Sequence, residues 1–150
     1  MTIFPRGIMK VNFVKALGAF IRYCWVLPVS CIGILLVAFV IVSGGAVRIA
    51  AGVIEADGGI LPFLLSRLRP YFTIDAMTIG HVILGQNRAS LMRCRVHERV
   101  HVRQYERWGL FFLPLYFLSS AAALVRGLDP YRNNGFEQEA FRASRAGMTR

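Results

Sequence analysis

Residues 90–108 read SLMRCRVHERVHVRQYERW, and this run without Gly or Pro predicts one continuous helix. His97 and His101 are four residues apart, so a helix places them on the same face. Glu98 lies one step further round the helix. Two neutral imidazoles can hold one metal ion, and an adjacent carboxylate can reach a water bound to that ion. The run therefore predicts a helix that carries a metal site.

The helix is predicted to have two chemically different faces. Ser90 is the predicted N-cap, and Gly109 is the predicted residue at which the helix ends. At about 100° per residue, the histidines share one side with thiol, amide and aromatic groups, and arginines four apart form the other side. We expect the arginine side to meet water or anions. The two sets are Cys94, His97, His101, Gln104, Tyr105 and Trp108, and Arg95, Arg99, Arg103 and Arg107.

A second motif, NNGFEQEA, occupies residues 133–140. Residues 97–101, HERVH, form a His-Glu-x-x-His (HExxH) pattern. With these two motifs, the chain resembles the gluzincin branch of the zincin metallopeptidases. It is also similar to small bacterial membrane-associated proteins with the same two motifs. In that branch a Glu three residues before an Ala is the third metal ligand, so the resemblance assigns this role to Glu137, which Ala140 follows. The resemblance covers the chain from the HExxH helix to Ala140. It implies bound Zn²⁺, a peptide or protein substrate, and Glu98 as the general base.

The resemblance is incomplete at two positions. Arg99 places a charge where zinc-peptidase helices usually have an uncharged residue, and Phe141 stands where an Asp often follows the Ala. Glu137 has an alternative role as the third residue of a helix capped by Asn134, in a capping-box arrangement. Glu139 is then the alternative ligand. The simplest competing interpretation is two histidines on an ordinary helix, with a surface glutamate between them.

Other polar residues are candidates for supporting roles. We expect amide groups near the site to orient the ligands through hydrogen bonds. Residues 77–84 predict a β-strand, and a strand before this helix in zincins borders the cleft and pairs with an extended substrate. His81 lies on that predicted strand, where it either acts on the substrate or has a structural role. The candidates are Gln104, Asn133 and Asn134 for orientation, and Tyr105, Tyr116, Tyr131 and His81 for the oxyanion donor.

Residues 25–47 contain no charged residue and predict a transmembrane helix. At about 1.5 Å per residue the run reaches about 34 Å, enough for a hydrocarbon core of about 30 Å. It is longer than the apolar part of a signal peptide, and no cleavage site follows it. The side before it carries Arg6, Lys10, Lys15 and Arg22 with no acidic residue, so the N-terminus is predicted to be cytoplasmic and the rest to lie on the opposite side.

A second uncharged run, residues 110–125, determines whether the metal site can form. If it crossed the membrane, His97 and Glu137 would be on opposite sides. At about 24 Å it is short for a span. The metal prediction therefore requires a core helix or a helix that dips into one leaflet. A final helix, residues 136–146, is predicted to carry Glu137 back to the histidines.

The composition agrees with a small membrane protein. The chain has 150 residues, of which 55% are hydrophobic, and a net charge of +10. The arginines are scattered and no nucleic-acid motif occurs, so we expect anionic lipid and not nucleic acid as the partner of this charge. The three cysteines do not imply a disulfide framework, and a packed thiol is the favoured role for Cys94 over a metal ligand.

The predicted fold is mainly α with a short β-strand element: a basic lead and transmembrane anchor over residues 1–54, and a minimal zincin-like α+β domain over residues 55–150. The predicted function is a membrane-anchored zinc metallopeptidase. The alternative is a non-catalytic membrane protein whose metal site is structural or degenerate and which acts as an interaction or assembly subunit.

Overall fold

The structure, a computed structural model, describes residues 13–68 and 74–148. Arg6 and Lys10 of the predicted basic lead lie outside these residues. Helices dominate, and a small four-stranded sheet accompanies an apolar N-terminal helix. The elements are α1 Phe13–Val42, β1 Ala46–Ala50, β2 Val53–Asp57, α2 Leu61–Leu68, β3 Ala76–Ile79, β4 Val82–Gly85, α3 Arg88–Trp108, α4 Phe112–Val125 and α5 Gly135–Met148, with a 3-10 turn Gly109–Phe111 between α3 and α4.

The sheet has the strand order β1-β2-β4-β3. β1 and β2 form an antiparallel hairpin, β2 runs parallel to β4, and β3 and β4 form a second antiparallel hairpin. The prediction of one strand over residues 77–84 was wrong, because the chain turns in the middle of it. Gly80 has φ +62°, a conformation that favours glycine, and His81 lies in this turn instead of on a strand.

The sheet lies between two helical layers. Alternate residues of each strand point to opposite faces, so each strand contributes to both layers. On one face, Ala56, Val82 and Leu84 pack with Val37 and Val40 of α1 and with Leu61 and Leu65 of α2. On the other face, Val53 and Ile83 pack with Leu91 and Val102 of α3.

Helix α1 is a layer of this fold along most of its length. Its buried residues recur every three or four positions, which places them on one stripe. At Gly33 the helix approaches the sheet so closely that a Cβ would lie 2.8 Å from Val82 Cβ. Nearer the start of α1, the Tyr23 hydroxyl donates to Gly52 O at 2.8 Å. Gly52 lies in the turn between β1 and β2. The buried stripe consists of Val26, Val29, Ser30, Gly33, Val37 and Val40.

The ends of α1 differ from the predicted span. The helix begins before residue 25 and ends at Val42, five residues earlier than predicted, because Gly44 at φ +82° and Gly45 lead into β1. The predicted domain boundary at residue 54 falls inside β2. The uncharged run 25–47 therefore contains the end of a helix and the start of a strand, which hydropathy does not distinguish.

Two helical stretches, Ala16–Val42 and Arg88–Val125, are long and apolar enough to cross a membrane. The second stretch bends sharply at Gly109, which has φ +55° and ends α3 as predicted. A Cβ at this position would overlap the indole ring of Trp25. Beyond the bend, α4 folds back along α3, so that the rings of Phe112 and Tyr105 lie 4.3 Å apart.

Helices α3 and α5 are each capped by an asparagine. Asn87, and not the predicted Ser90, caps α3, and its side chain accepts the Ser90 N–H at 2.9 Å. Asn134 caps α5, as the alternative interpretation of Glu137 supposed, since its Oδ1 accepts the Phe136 N–H at 2.9 Å. Helix α5 begins at Gly135 and extends to Met148, two residues further than predicted.

The arginine side of α3 does not simply face water. Arg95 and Arg99 pair with Glu55, a fully buried carboxylate on β2. Arg99 Nη2 lies 3.2 Å from Glu55 Oε1. Arg99 Nη2 also donates to Ala50 O at 2.8 Å. The arginine side was predicted to meet water or anions: Arg95 and Arg99 meet the Glu55 carboxylate inside the fold, whereas Arg103 is exposed. Arg99 therefore points away from the histidines and attaches the helix to the sheet.

We expect Glu55→Ala to lower the free energy of unfolding by about 3 kcal/mol, because it leaves partly buried arginines without their counter-charge. The measurement is denaturant unfolding in mild detergent. Asp75→Ala is the matched control, since Asp75 and Arg93 form an exposed pair at 3.1 Å and such a pair contributes less than about 1 kcal/mol. Equal losses in the two variants would contradict a structural role for Glu55.

Candidate metal centre

Three side chains from two helices converge in the structure. His97 and His101 of α3 and Glu137 of α5 each offer a ligand atom, and these atoms lie within 4.8 Å of one another. The two imidazole Nε2 atoms are 3.1 Å apart. Glu137 Oε2 is 3.1 Å from His97 Nε2, and Glu137 Oε1 is 3.4 Å from His101 Nε2. Helical spacing brings the histidines together, and the first turn of α5 supplies the carboxylate.

The Glu137 carboxylate is oriented toward the histidines. The Tyr116 hydroxyl of α4 donates to Glu137 Oε1 at 2.7 Å. Burial opposes ionisation of this carboxyl, but the adjacent imidazoles of His101 and His97 outweigh burial and lower its pKa to about 2. The buried Oε2 accepts no hydrogen bond from any residue that the structure describes. A buried carboxylate oxygen without a donor, beside two imidazole nitrogens, fits a divalent cation such as Zn²⁺.

The capping-box alternative for Glu137 does not match these contacts. In a capping box the Glu side chain would return to the backbone N–H of Asn134. That N–H instead donates to Tyr131 O at 3.2 Å, and the Glu137 carboxylate turns to Tyr116 and the histidines. Asn134 caps the helix without help from Glu137.

Gln104 joins the two helices that carry the ligands. Its Oε1 lies 2.8 Å from His101 Nδ1, so this nitrogen donates the hydrogen bond and Nε2 is left for a metal. The Gln104 amide donates to Phe136 O at 3.1 Å and to Glu139 Oε2 at 2.8 Å. Glu139, the alternative ligand, therefore binds Gln104 and is not part of the three-residue cluster.

Glu98 is buried beside the cluster and is held by β3. The Thr78 hydroxyl lies 2.7 Å from Glu98 Oε2 and 3.1 Å from Glu98 O, so it donates to one or other of these oxygens. Burial raises the pKa of Glu98, although His101 and the Thr78 contact act in the opposite direction. A carboxylate with raised proton affinity next to the ligand atoms is suited to accept a proton.

The cluster opens into a cleft of about 580 Å³. One wall is β3 with the residues that precede it, and the opposite wall is α4 with part of α5. Of the proposed oxyanion donors, Tyr105, Tyr116 and Tyr131 line this cleft, together with Cys94. Burial raises the pKa of the Cys94 thiol, which agrees with a packed thiol.

Two of the predicted site residues lie elsewhere. His81 lies outside the cleft lining, between α1 and α3: it stacks on Tyr23 at 4.4 Å, and its Nε2 is 3.3 Å from Glu106 Oε1. Asn133 donates to Asp129 O in the turn before α5. Neither contacts the three ligand residues. Asn134 acts on the site indirectly, by holding that turn to α4 through bonds to Tyr116 O and Ser120 Oγ.

Sequence reasoning missed the role of Thr78 and left that of Tyr116 open. Both act on a carboxylate about twenty positions away, Glu98 and Glu137 respectively. No periodicity relates residues at such a separation, because the contact depends on how the elements pack. The only available signal was that Thr78 falls in the strand predicted to border the cleft.

No protein-family model, no curated protein and no solved structure matches this chain.

We expect purified wild-type protein to contain about one zinc ion per chain, since structural and catalytic sites of this donor set bind one ion. His97→Ala, His101→Ala and Glu137→Ala should each lose it, because each removes one of three ligands. Elemental analysis after dialysis measures the metal content. Glu139→Ala is the matched control and should retain zinc. Equal zinc in all five proteins would refute the site.

Gln104→Leu is expected to weaken zinc affinity by about 10–100-fold, because His101 loses the partner that orients its ring. Competition with a chromogenic chelator measures the affinity. Asn133→Leu serves as the control, since Asn133 does not contact the ligands. The same loss in both variants would mean that the amide at position 104 has no specific role.

Proposed function

We propose that this protein is a membrane-associated, zinc-dependent peptidase that hydrolyses peptide bonds with Glu98 as the general base. One observation carries the proposal: His97, His101 and Glu137 offer ligand atoms within 4.8 Å of one another, inside a cleft that also holds Glu98. Two imidazoles and one carboxylate are the donor set of zinc hydrolases that keep an open coordination position.

Zn²⁺ bound by these residues would lower the pKa of a water molecule toward neutrality and polarise the scissile carbonyl. Glu98 would take the proton from that water and pass it to the leaving amine. Thr78 holds Glu98 in place for this transfer, and burial raises the pKa of Glu98 toward the range of a useful base. Gln104 and Tyr116 keep His101 and Glu137 in their orientations.

Strand β3 is suited to bind the substrate backbone, because it forms one edge of the sheet and lines the cleft. Gln86 N–H donates to Asp75 O at 3.0 Å, and hydrogen bonding in an antiparallel pair alternates along each strand. Ala76 and Thr78 therefore direct their backbone N–H and C=O groups away from β4. An extended peptide can add to these groups as a further strand, with little demand on its sequence.

The alternative function is a non-catalytic interaction or assembly subunit with a structural or degenerate site. The observation in its favour is Phe141, whose ring packs against His97 at a centroid distance of 5.0 Å. An aromatic ring there cannot accept the hydrogen bond that an Asp would take from a metal-bound histidine. Arg99 does not favour this alternative, because it pairs with Glu55, away from the three candidate ligand residues.

Glu98→Gln distinguishes the two functions. We expect this variant to keep its zinc but to cleave an unstructured peptide at least about 100-fold more slowly, since it lacks the base. Turnover and metal content are measured on the same preparation. Glu106→Gln is the matched control, because Glu106 lies at His81 outside the cleft lining and should not affect turnover. Unchanged turnover in Glu98→Gln would refute Glu98 as the base, and absence of turnover in zinc-loaded wild type would favour the structural site.

We further propose that the chain crosses the membrane once, through α1, with a cytoplasmic N-terminus. The basic residues before the uncharged run support this orientation. In a competing arrangement, only one side of α1 contacts lipid. The β1–β2 hairpin favours this arrangement, because it packs along α1, with Gly45 against Val40 and Gly52 against Tyr23. Full immersion of α1 would bring the open edge of the sheet to hydrocarbon depth, where backbone groups lack partners.

Thiol labelling tests the topology. In a variant whose three cysteines are replaced by Ser, Arg126→Cys places one exposed thiol in the turn after α4. A single crossing predicts that a membrane-impermeant maleimide labels it in right-side-out vesicles and not in inverted ones, with detergent-opened vesicles as the control. Labelling only in inverted vesicles would show that residue 126 is cytoplasmic, as the one-sided arrangement on the cytoplasmic leaflet predicts.

A further inference from the structure

Helix α4 has its polar side chains toward the protein and its apolar side chains outward. The Ser119 hydroxyl accepts the Gly135 N–H at 3.0 Å, and the Ser120 hydroxyl accepts from Asn134 Nδ2 at 2.8 Å. The Tyr116 hydroxyl binds Glu137. Facing outward, Phe117 is 66% exposed, and the other large exposed side chains are Leu113, Leu118, Leu124 and Val125. A surface helix in water has the opposite arrangement.

Helix α1 also has an apolar outward side, although valines make up most of its buried stripe. Ser30 is buried, and its hydroxyl accepts the His81 N–H at 3.0 Å. Arg22 turns toward Glu106, with 3.8 Å between Nε and Oε2. The outward side of α1 is apolar and exposed, with Leu27, Ile32, Leu35, Phe39 and Ile41 among its large residues.

The outward sides of the two helices join. Val26 and Val29 of α1 pack with Tyr105 and Phe112, and the ring of Trp25 lies directly against Gly109. The exposed side chains of Leu110 and Phe111 lie at this junction, in the turn between α3 and α4. We call the exposed apolar side chains of α1, this turn and α4 the apolar surface.

Some side chains of the apolar surface also line the cleft at the candidate metal site. Leu113 and Phe117 line the cleft and are at the same time exposed on the outward side of α4. On the opposite wall, Met77 of β3 adds a further apolar side chain. A ligand that enters past α4 therefore meets apolar side chains before it reaches Glu98 and the histidines.

We propose that the apolar surface contacts membrane lipid, and that the metal cleft receives extended, apolar segments of polypeptide from the membrane surface. Lipid is the occupant because the uncharged runs 25–47 and 110–125 supply this surface, and because the exposed apolar sides of α1 and α4 meet there. Trp25 and Trp108, both partly exposed, flank the junction as aromatic residues do at a membrane interface. The choice of substrate rests on the proposed peptidase function, whereas the lipid contact does not.

Fluorescence quenching tests the lipid contact. The chain has two tryptophans, so Trp25→Phe with Trp108→Phe gives a background without indole. In it, Phe117→Trp places one indole on the outward side of α4, and Arg103→Trp places one on the exposed arginine side of α3. Vesicles of brominated phosphatidylcholine should quench the first and not the second. A Phe117→Trp signal that lipid leaves unchanged but protein concentration shifts would indicate a second copy and overturn the proposal.

Peptide binding tests the substrate class separately. Zinc-loaded Glu98→Gln is mixed in vesicles with two fluorescent peptides of equal length, one rich in Leu and Val and one in which these are Ser and Thr. We expect the apolar peptide to bind at least about tenfold more tightly, and Phe117→Ser to remove most of that preference. Leu118→Ser is the control, because Leu118 is exposed on α4 but does not line the cleft.

The outcomes separate the two proposals. Equal binding of the two peptides, or an equal effect of Phe117→Ser and Leu118→Ser, would overturn the substrate proposal even if the wild type cleaves peptides. Absence of cleavage by zinc-loaded wild type, with the apolar preference intact, would refute the peptidase and leave a binding cleft for apolar segments.

Discussion

The reversal of the chain at Gly109 is the constraint on which the candidate site depends. Its φ of +55° favours glycine, and the Trp25 ring leaves no room for a Cβ. If α3 continued straight, residue 116 would lie about 22 Å along the axis from residue 101. In the structure the rings of Tyr116 and His101 are 6.4 Å apart. The bend therefore brings α4, and after it α5, to the side of α3 that carries the histidines.

The parts of the site that follow from local geometry could be predicted from the sequence. The spacing of His97 and His101 requires only a helix, and the structure has one there. Glu137 was assigned by resemblance to a motif, and the structure brings its carboxylate to the two imidazoles. The uncharged run 110–125 forms α4, which folds back along α3 and so leaves α5 within reach of the histidines. Zinc and catalysis remain proposals.

The remaining features depend on packing between distant elements, which composition does not report. In the sequence, Arg99 counts against a metal site, because it places a charge within the motif. In the structure its partner is Glu55 on β2. The start of β1, residues 46 and 47, lies inside a run whose hydropathy fits a membrane span. His81 was placed on a continuous strand because no single-residue rule shows that Gly80 turns the chain there.

The position of α1 within the fold limits how this protein can be divided. Four valines of α1 are buried: Val26, Val29, Val37 and Val40. Each buried side chain of this size contributes about 1.5–3 kcal/mol, and whole domains are stable by only about 5–15 kcal/mol. Removal of the first helix would also leave Val82 and Leu84 uncovered on the sheet. A fragment that starts after the helix is therefore not an independent folding unit, and biochemical work on the candidate metal centre requires the intact polypeptide.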